Sequence, residues 1–269
     1  MNGNNVPSFF TQIWGLGNLI KKISILFQYV GSISFFIGDI FRWLFVKKRD
    51  LKAIVREIIF IGINSLPLVS LISFFVGIII AFQTAYQLKQ FSSEIYIASL
   101  VALSLVRELG PVLGSLIVAA RSGASITAGI GSMKISEQVD ALEAFAVDPI
   151  DYLVVPKFIA LLVTMPVLII YADCLGILGG YVVGSSKFGI PFKFYFKLTF
   201  DALKNKDIIS GLLKSVCFGS IIAFVASYEG FRPLSSTEVS EAVTHSVVRS
   251  FILIIVCDCI LTALFYFTF

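Results

Sequence analysis

Long apolar runs alternate along the chain with short polar segments. A transmembrane α-helix needs about 20 consecutive apolar residues, and five runs approach or exceed that length. They predict spans at residues 66–88, 95–127, 152–186, 208–228 and 243 to the C-terminus. We therefore expect an all-α membrane protein with a five-span domain over residues 51–269.

Residues 1–50 follow a different pattern. Their apolar and aromatic residues are interrupted by four charged ones, Lys21, Lys22, Asp39 and Arg42, and the basic cluster Lys47–Arg49 follows. This mixture is typical of helices that lie in the membrane–water interface. We predict an N-terminal interfacial elbow, with one transmembrane helix over residues 26–45 as the alternative. The basic cluster favours the cytoplasmic side for this end.

The second run is longer than a perpendicular span requires, because at ~1.5 Å per residue it covers roughly 50 Å. A kink is expected at Pro111, which has no N–H to donate to the carbonyl of Arg107. Gly110 and Gly114 predict close approach of another helix, as does the glycine series of the third run: Gly176, Gly180 and Gly184.

The loop between the second and third runs, residues 131–149, predicts an amphipathic cytoplasmic helix. Ile135, Val139, Leu142 and Phe145 recur at helical spacing and form an apolar stripe. A second face is acidic, with Glu137, Asp140 and Glu143. We expect this helix to end at Asp148, since a residue before proline avoids the α region. It is either a docking surface for a partner or a solvated surface helix.

Composition supports the membrane assignment, since 57% of residues are hydrophobic and 14% are charged. The net charge of +4 is small and spread over the loops, so nucleic-acid binding has little support. Residues 187–206 lie outside the membrane in the predicted topology, although their five lysines favour the cytoplasmic side by the positive-inside rule. The denser N-terminal cluster nevertheless decides the predicted topology.

Several charged residues lie inside apolar runs, where ionisable groups are costly unless they are paired or line a cavity. Arg107 and Glu108 lie in the second run, and Lys214 lies at a comparable depth in the fourth. Together they predict a polar site suited to an anionic or zwitterionic headgroup, or else a structural charge network. Asp173 and Asp258 are interpreted as lone structural or interfacial acids.

The sequence offers no catalytic or metal site. His245 is the single histidine, and neither a nucleophile elbow, an HExxH pair nor a P-loop is present. We predict no cofactor, and any ATP energy must come from another polypeptide. An ion-coupled secondary transporter with Glu108 as proton carrier is the alternative, although no inverted repeat supports it.

The segment from 101 to 158, VALSLVRELGPVLGSLIVAARSGASITAGIGSMKISEQVDALEAFAVDPIDYLVVPKF, resembles the signature region of the MlaE/YrbE family. These proteins are permease subunits of ABC transporters that move phospholipids together with MCE-domain proteins. The resemblance continues through GILGGYVVG and GLLKSVCFG and covers about residues 56–269.

The resemblance implies a homodimer and a role in outer-membrane lipid asymmetry. It implies a location in the bacterial inner membrane, with a plastid inner envelope as the alternative. Its implied partners are an ATPase that binds the ATP, a periplasmic MCE-domain protein and phospholipid, with room for a small STAS-type cytoplasmic subunit. The implied lipid-binding residues are Arg107, Glu108, Lys214, Ile80, Leu88 and Phe91. The implied ATPase-coupling residues, in residues 131–149, are Glu137, Asp140, Leu142, Glu143 and Phe145.

Overall fold

The computed structural model describes residues 31, 33–44, 50–90 and 93–268. Within these ranges every regular element is helical. Residues 33–44 form helix α1, which belongs to a separate unit comprising residues 1–47. Most of the predicted interfacial elbow lies outside the described residues, so its position in the membrane stays a prediction.

In the described part of the second unit, residues 50–90 and 93–268, there are five long helices, two short helices and a 3₁₀ turn at Glu94–Tyr96. The long helices are α2 (Leu51–Lys89), α3 (Ile97–Ile135), α5 (Ile150–Phe188), α7 (Asn205–Gly230) and α8 (Ser236–Thr268). The short helices are α4 (Gln138–Ala144), between α3 and α5, and α6 (Phe192–Ala202), between α5 and α7. All five long helices are apolar enough to cross a membrane, which confirms the predicted all-α, five-span fold.

Helix α2 begins earlier than predicted. The Asp50 side chain accepts a hydrogen bond from the backbone N–H of Lys52 at 2.9 Å and so caps the helix. The residues from Leu51 onward and the predicted first span therefore form one helix, and Pro67 lies in its interior. At about 1.5 Å per residue this helix exceeds the ~30 Å hydrocarbon core. A helix of this length must tilt or extend beyond the hydrocarbon core.

Glycines bring α2 and α5 into backbone contact. A Cβ atom added at Gly77 would lie 1.9 Å from the carbonyl oxygen of Gly176. One added at Gly179 would lie 2.2 Å from the carbonyl oxygen of Phe74. The predicted packing face on α5 is thus confirmed, because only residues without side chains permit this approach.

The outer end of the bundle has its own hydrophobic core. Helix α6 folds over this end and inserts the fully buried Tyr195 beside Gly180 and Gly184. The surrounding cluster includes Ala98 and Val101 of α3. The segment predicted to lie outside the membrane, residues 187–206, therefore contains a helix that packs against the ends of α3 and α5.

Candidate functional site

Helix α3 contains two wide π-helical turns, Leu105–Leu109 and Ala119–Gly123. Each turn carries an arginine, Arg107 in the first and Arg121 in the second. Such turns are rare and often occur at functional sites. The first turn lies just before Pro111 and presents Arg107 and Glu108 to two different partners on α7.

Lys214 of α7 is the centre of the site. Its side chain is 1% exposed, and its Nζ donates three hydrogen bonds. The acceptors are Oε2 of Glu108 at 2.5 Å, Oγ1 of Thr262 at 2.8 Å and the carbonyl oxygen of Arg107 at 3.1 Å. An ammonium group has three N–H donors, so all of them are used.

Asp258 of α8 adds a second carboxylate to this buried lysine. Its Oδ1 lies 2.8 Å from Nζ of Lys214 and forms an ion pair with it. The interpretation of Asp258 as a lone acid is therefore wrong. Asp258 and Thr262 are four residues apart and share a face of α8. That spacing was the sequence signal for their common role.

Arg107 has a separate partner that sequence analysis missed. Its Nε donates to Oδ1 of Asp207 at 2.7 Å, and its Nη2 lies 2.7 Å from the same oxygen. The other oxygen of Asp207 accepts the backbone N–H of Lys204 at 2.9 Å, at the start of α7. Asp207 thus both caps α7 and fixes Arg107 beside it.

These side chains border a cavity of about 560 Å³, within the range of small-molecule sites. It lies at the end of the bundle opposite α4, between α3, α7 and the C-terminal part of α8. The lining residues are Arg107, Glu108, Lys204, Lys206, Asp207, Ser210, Lys214, Thr262, Phe265 and Tyr266. The structure therefore brings together the three charged residues proposed from sequence.

The predicted hydrophobic wall does not border this cavity. Ile80 and Leu88 of α2 are half-buried and pack against the outer hydrophobic core instead. Phe91 lies outside the described residues. A role of these residues in holding acyl chains stays a prediction, and it requires a lipid that extends beyond the polar cavity.

Helix α4, which is predicted to face the cytoplasm, is anchored through one apolar residue. Val139 is 2% exposed, Leu142 is half-buried and Phe145 is 81% exposed. Of the acidic residues, Glu137 has a left-handed backbone conformation at the start of α4 and Glu143 is exposed. The Asp140 carboxylate binds Nζ of Lys134 at 2.6 Å. The exposed side chain of Phe145 leaves this face of α4 open to a partner.

The predicted end of α4 at Asp148 is wrong. The helix ends at Ala144, and Ala146 adopts a left-handed conformation with φ of 57°. The N–H of Val147 then bonds the carbonyl of Leu142, which completes a Schellman motif. Asp148 instead caps the start of α5, since its side chain accepts a hydrogen bond from the backbone N–H of Ile150 at 2.8 Å.

A second polar cluster connects the end of α7 to the first turns of α8. The buried Glu229 pairs with Arg249 and, at 3.2 Å, with Arg232. His245 lines a small cleft of about 250 Å³ beside this cluster. Among the described residues, no group of three histidine, cysteine or acidic side chains is placed to hold a metal ion.

Comparisons with known proteins agree with this arrangement. A family model described as Permease MlaE matches residues 54–264. A probable ABC transporter permease protein of Rickettsia prowazekii is 42% identical over 253 residues, covering 93% of this chain and 98% of the relative.

More distant relatives extend the likeness. The intermembrane phospholipid transport system permease protein MlaE of Haemophilus influenzae is 33% identical over 248 residues, covering 91% of this chain and 95% of the relative. A probable ABC transporter permease protein of Porphyra purpurea is 32% identical over 218 residues, covering 81% and 82%. With its five apolar helices, the chain is an integral inner-membrane protein that belongs to the MlaE permease family.

Proposed function

We propose that this protein is the permease subunit of an ABC transporter that moves phospholipid between the inner membrane and a periplasmic MCE-domain protein. A separate ATPase subunit drives the movement. The observation that carries the proposal is the outer cavity, where Arg107, Glu108 and Lys214 from two spans meet. The name of the Haemophilus influenzae relative supports phospholipid as the cargo.

The geometry suits an amphipathic cargo. The polar groups lie in the outer half of the bundle, with Lys214 roughly 14 Å from the start of α7 at 1.5 Å per residue. Phe265 and Tyr266 at the end of α8 form the apolar part of the lining. A headgroup would contact the charges, and its acyl chains would extend along apolar helix faces.

Movement of the cargo needs a connection to ATP hydrolysis. Helix α4 presents the exposed Phe145 on the cytoplasmic side, and the covalent continuity of α3 connects α4 to Arg107 and Glu108. We infer that the ATPase docks on α4 and shifts α3 against α7. This shift would alter the contacts of Lys214 and so open or close the cavity.

The protein would act as a homodimer, with two copies enclosing the cargo. The exposed apolar residues of α8, including Ile252, Leu253, Ile255 and Val256, supply a surface for either lipid or a second copy. A small STAS-type cytoplasmic subunit is compatible with the same assembly.

The alternative, an ion-coupled transporter that acts alone, would use Glu108 as proton carrier. Glu108 lies 2.5 Å from Lys214 and also accepts a hydrogen bond from Thr262. A proton carrier would have to break both interactions in each cycle. The exposed Phe145 also favours a protein that has a cytoplasmic partner.

Co-purification tests the proposal. The chain is isolated gently from its own membranes, and accompanying proteins and lipids are identified by mass spectrometry. We expect a Walker-motif ATPase, an MCE-domain protein and phospholipid. Reproducible isolation of the chain alone, in several mild detergents, would contradict the ABC transporter assignment and favour the ion-coupled alternative.

A further inference from the structure

We propose that helix α6 is a membrane-surface helix, which holds phenylalanine side chains at the lipid acyl chains and lysine side chains at the level of the lipid phosphates. The partner of this surface is the phospholipid layer at the end of the bundle opposite α4. None of the described residues of α6 lines the cavity, so the role of this helix does not depend on which cargo the protein moves.

One face of α6 fixes the helix across the bundle end. Tyr195 is 0% exposed and packs in the hydrophobic core that α6 shares with α3 and α5. The hydroxyl of Ser99 in α3 donates a hydrogen bond to the carbonyl oxygen of Leu198 at 3.2 Å. Short connections, residues 189–191 and 203–204, join α6 to α5 and α7. These contacts determine which faces of α6 point away from the bundle.

A ridge of three aromatic rings runs along one side of α6. Phe192, Phe196 and Phe200 are four residues apart and therefore share a face of the helix. The ring centroids of Phe192 and Phe196 are 4.5 Å apart, and those of Phe196 and Phe200 are 6.4 Å apart. Phe192 is nevertheless 55% exposed and Phe200 is 71% exposed. Contiguous exposed apolar patches mark interaction sites, so this ridge requires a partner.

A row of charged residues runs beside the aromatic ridge. Lys193, Lys197 and Asp201 each follow one phenylalanine of the ridge, so the row lies about 100° further around the helix. All three are exposed, and neither lysine forms an ion pair with another described residue. An aromatic ridge next to a basic row is typical of helices that lie in the membrane–water interface.

This combination suits a phospholipid layer better than a protein partner. Lysine is depleted at protein interfaces. At a membrane surface, by contrast, a lysine extends its ammonium group to a phosphate while its carbon chain covers apolar surface. The location agrees, because α6 packs across the ends of α3 and α5, which are both long and apolar enough to span a membrane. Helix α6 therefore lies where phosphates meet acyl chains.

Photo-crosslinking identifies what contacts the ridge. The variant Phe200→benzoylphenylalanine of the full-length protein is illuminated in its own membranes, and the adducts are identified by mass spectrometry. The control variant is Leu234→benzoylphenylalanine, since Leu234 is 81% exposed in the loop between α7 and α8, at the other end of the bundle. We expect phospholipid adducts, attached through the acyl chains, at position 200 and none above background at position 234.

A third variant tests the orientation of α6. Lys197→benzoylphenylalanine places the same probe on the charged row of the same helix, where we expect fewer adducts, attached nearer the headgroup. Acyl-chain adducts in equal yield at positions 197 and 200 would overturn the assignment of the lysines to the phosphate level.

Three results at position 200 would overturn the membrane-surface role of α6. They are adducts to a protein, whether a second copy of the chain or another subunit, no adducts at all, and phospholipid adducts in a yield equal to that at position 234. Each of these results would leave the proposed transport function standing, because the cavity residues are unchanged in all three variants.

Discussion

Lys214 donates a hydrogen bond to the backbone carbonyl oxygen of Arg107 at 3.1 Å. Pro111, four residues after Arg107, has no N–H with which to satisfy that carbonyl. The lysine that neutralises Glu108 therefore also binds the main chain of α3 where this helix departs from α-helical geometry. Lys214 thus connects α7 to α3 both through its ion pair with Glu108 and through its hydrogen bond to the main chain of Arg107.

Removal of the Lys214 charge is expected to destabilise the fold. The change Lys214→Met leaves the carboxylates of Glu108 and Asp258 together without their cation. Breaking a buried ion pair costs about 3–5 kcal/mol, and the partial exposure of Glu108 places the expected loss at the lower end of that range. Thermal unfolding of the purified variant in detergent should show a correspondingly lower midpoint.

Two further variants test whether the stability lost in K214M comes from the carboxylates that are left unpaired. The triple variant K214M/E108Q/D258N should recover much of the stability, because no charge is left unpaired. Lys193→Met, at an exposed position of α6, should change stability by less than about 0.5 kcal/mol. An unfolding midpoint for K214M equal to that of K193M would show that the buried network does not stabilise the protein.

Gly77→Ala should weaken the contact between α2 and α5. The added methyl group would lie 1.9 Å from the carbonyl oxygen of Gly176, which is backbone and cannot rotate away. We expect a loss of about 2 kcal/mol in thermal unfolding, in the range of overpacked cores. Gly129→Ala is the control, since its added methyl group meets nothing within 4 Å. Equal effects of the two changes would contradict the close backbone approach.

Phe145→Ser should weaken coupling to the ATPase without unfolding the permease. Phe145 is 81% exposed on the cytoplasmic side, and loss of an aromatic anchor at an interface costs about 2 kcal/mol. We expect less ATPase retained on purification and less lipid transfer per ATP hydrolysed. Leu234→Ser is the control, because Leu234 is equally exposed in the other cytoplasmic loop. Equal retention in both variants would remove α4 as the docking site.

Glu108→Gln separates the two transport mechanisms. The amide oxygen can still accept from Lys214 and Thr262, and Asp258 still pairs with Lys214. ATP-driven transfer should fall by no more than about tenfold, the effect of one weakened charge-assisted hydrogen bond. A proton carrier would lose transport altogether. Glu241→Gln, at an exposed cytoplasmic position, controls for removal of a carboxylate.

Much of the fold could be predicted because each span must be long and apolar. Helix ends were less predictable. Nothing resembling a helix stop separates Lys52 from Leu66, so α2 runs through the expected boundary. The end of α4 depends on a left-handed alanine, Ala146, a conformation that sequence patterns normally assign to glycine.

The charged site was only partly predictable for a different reason. Arg107, Glu108 and Lys214 stood out because charges inside a span require partners. The partners Asp207 and Asp258 lie elsewhere in the chain, and pairing them requires the axial register between helices. The sequence of a single chain does not display that register, because it depends on which side chains of the two helices pack against each other.

ATP hydrolysis by a partner is expected to drive phospholipid transfer through this permease. The most direct test reconstitutes the complex in proteoliposomes and measures transfer of labelled phospholipid to the MCE-domain protein. One assay supplies ATP without a proton gradient, and the other supplies a proton gradient without ATP. We predict transfer in the first assay and none in the second. Transfer driven by the gradient alone would contradict the account.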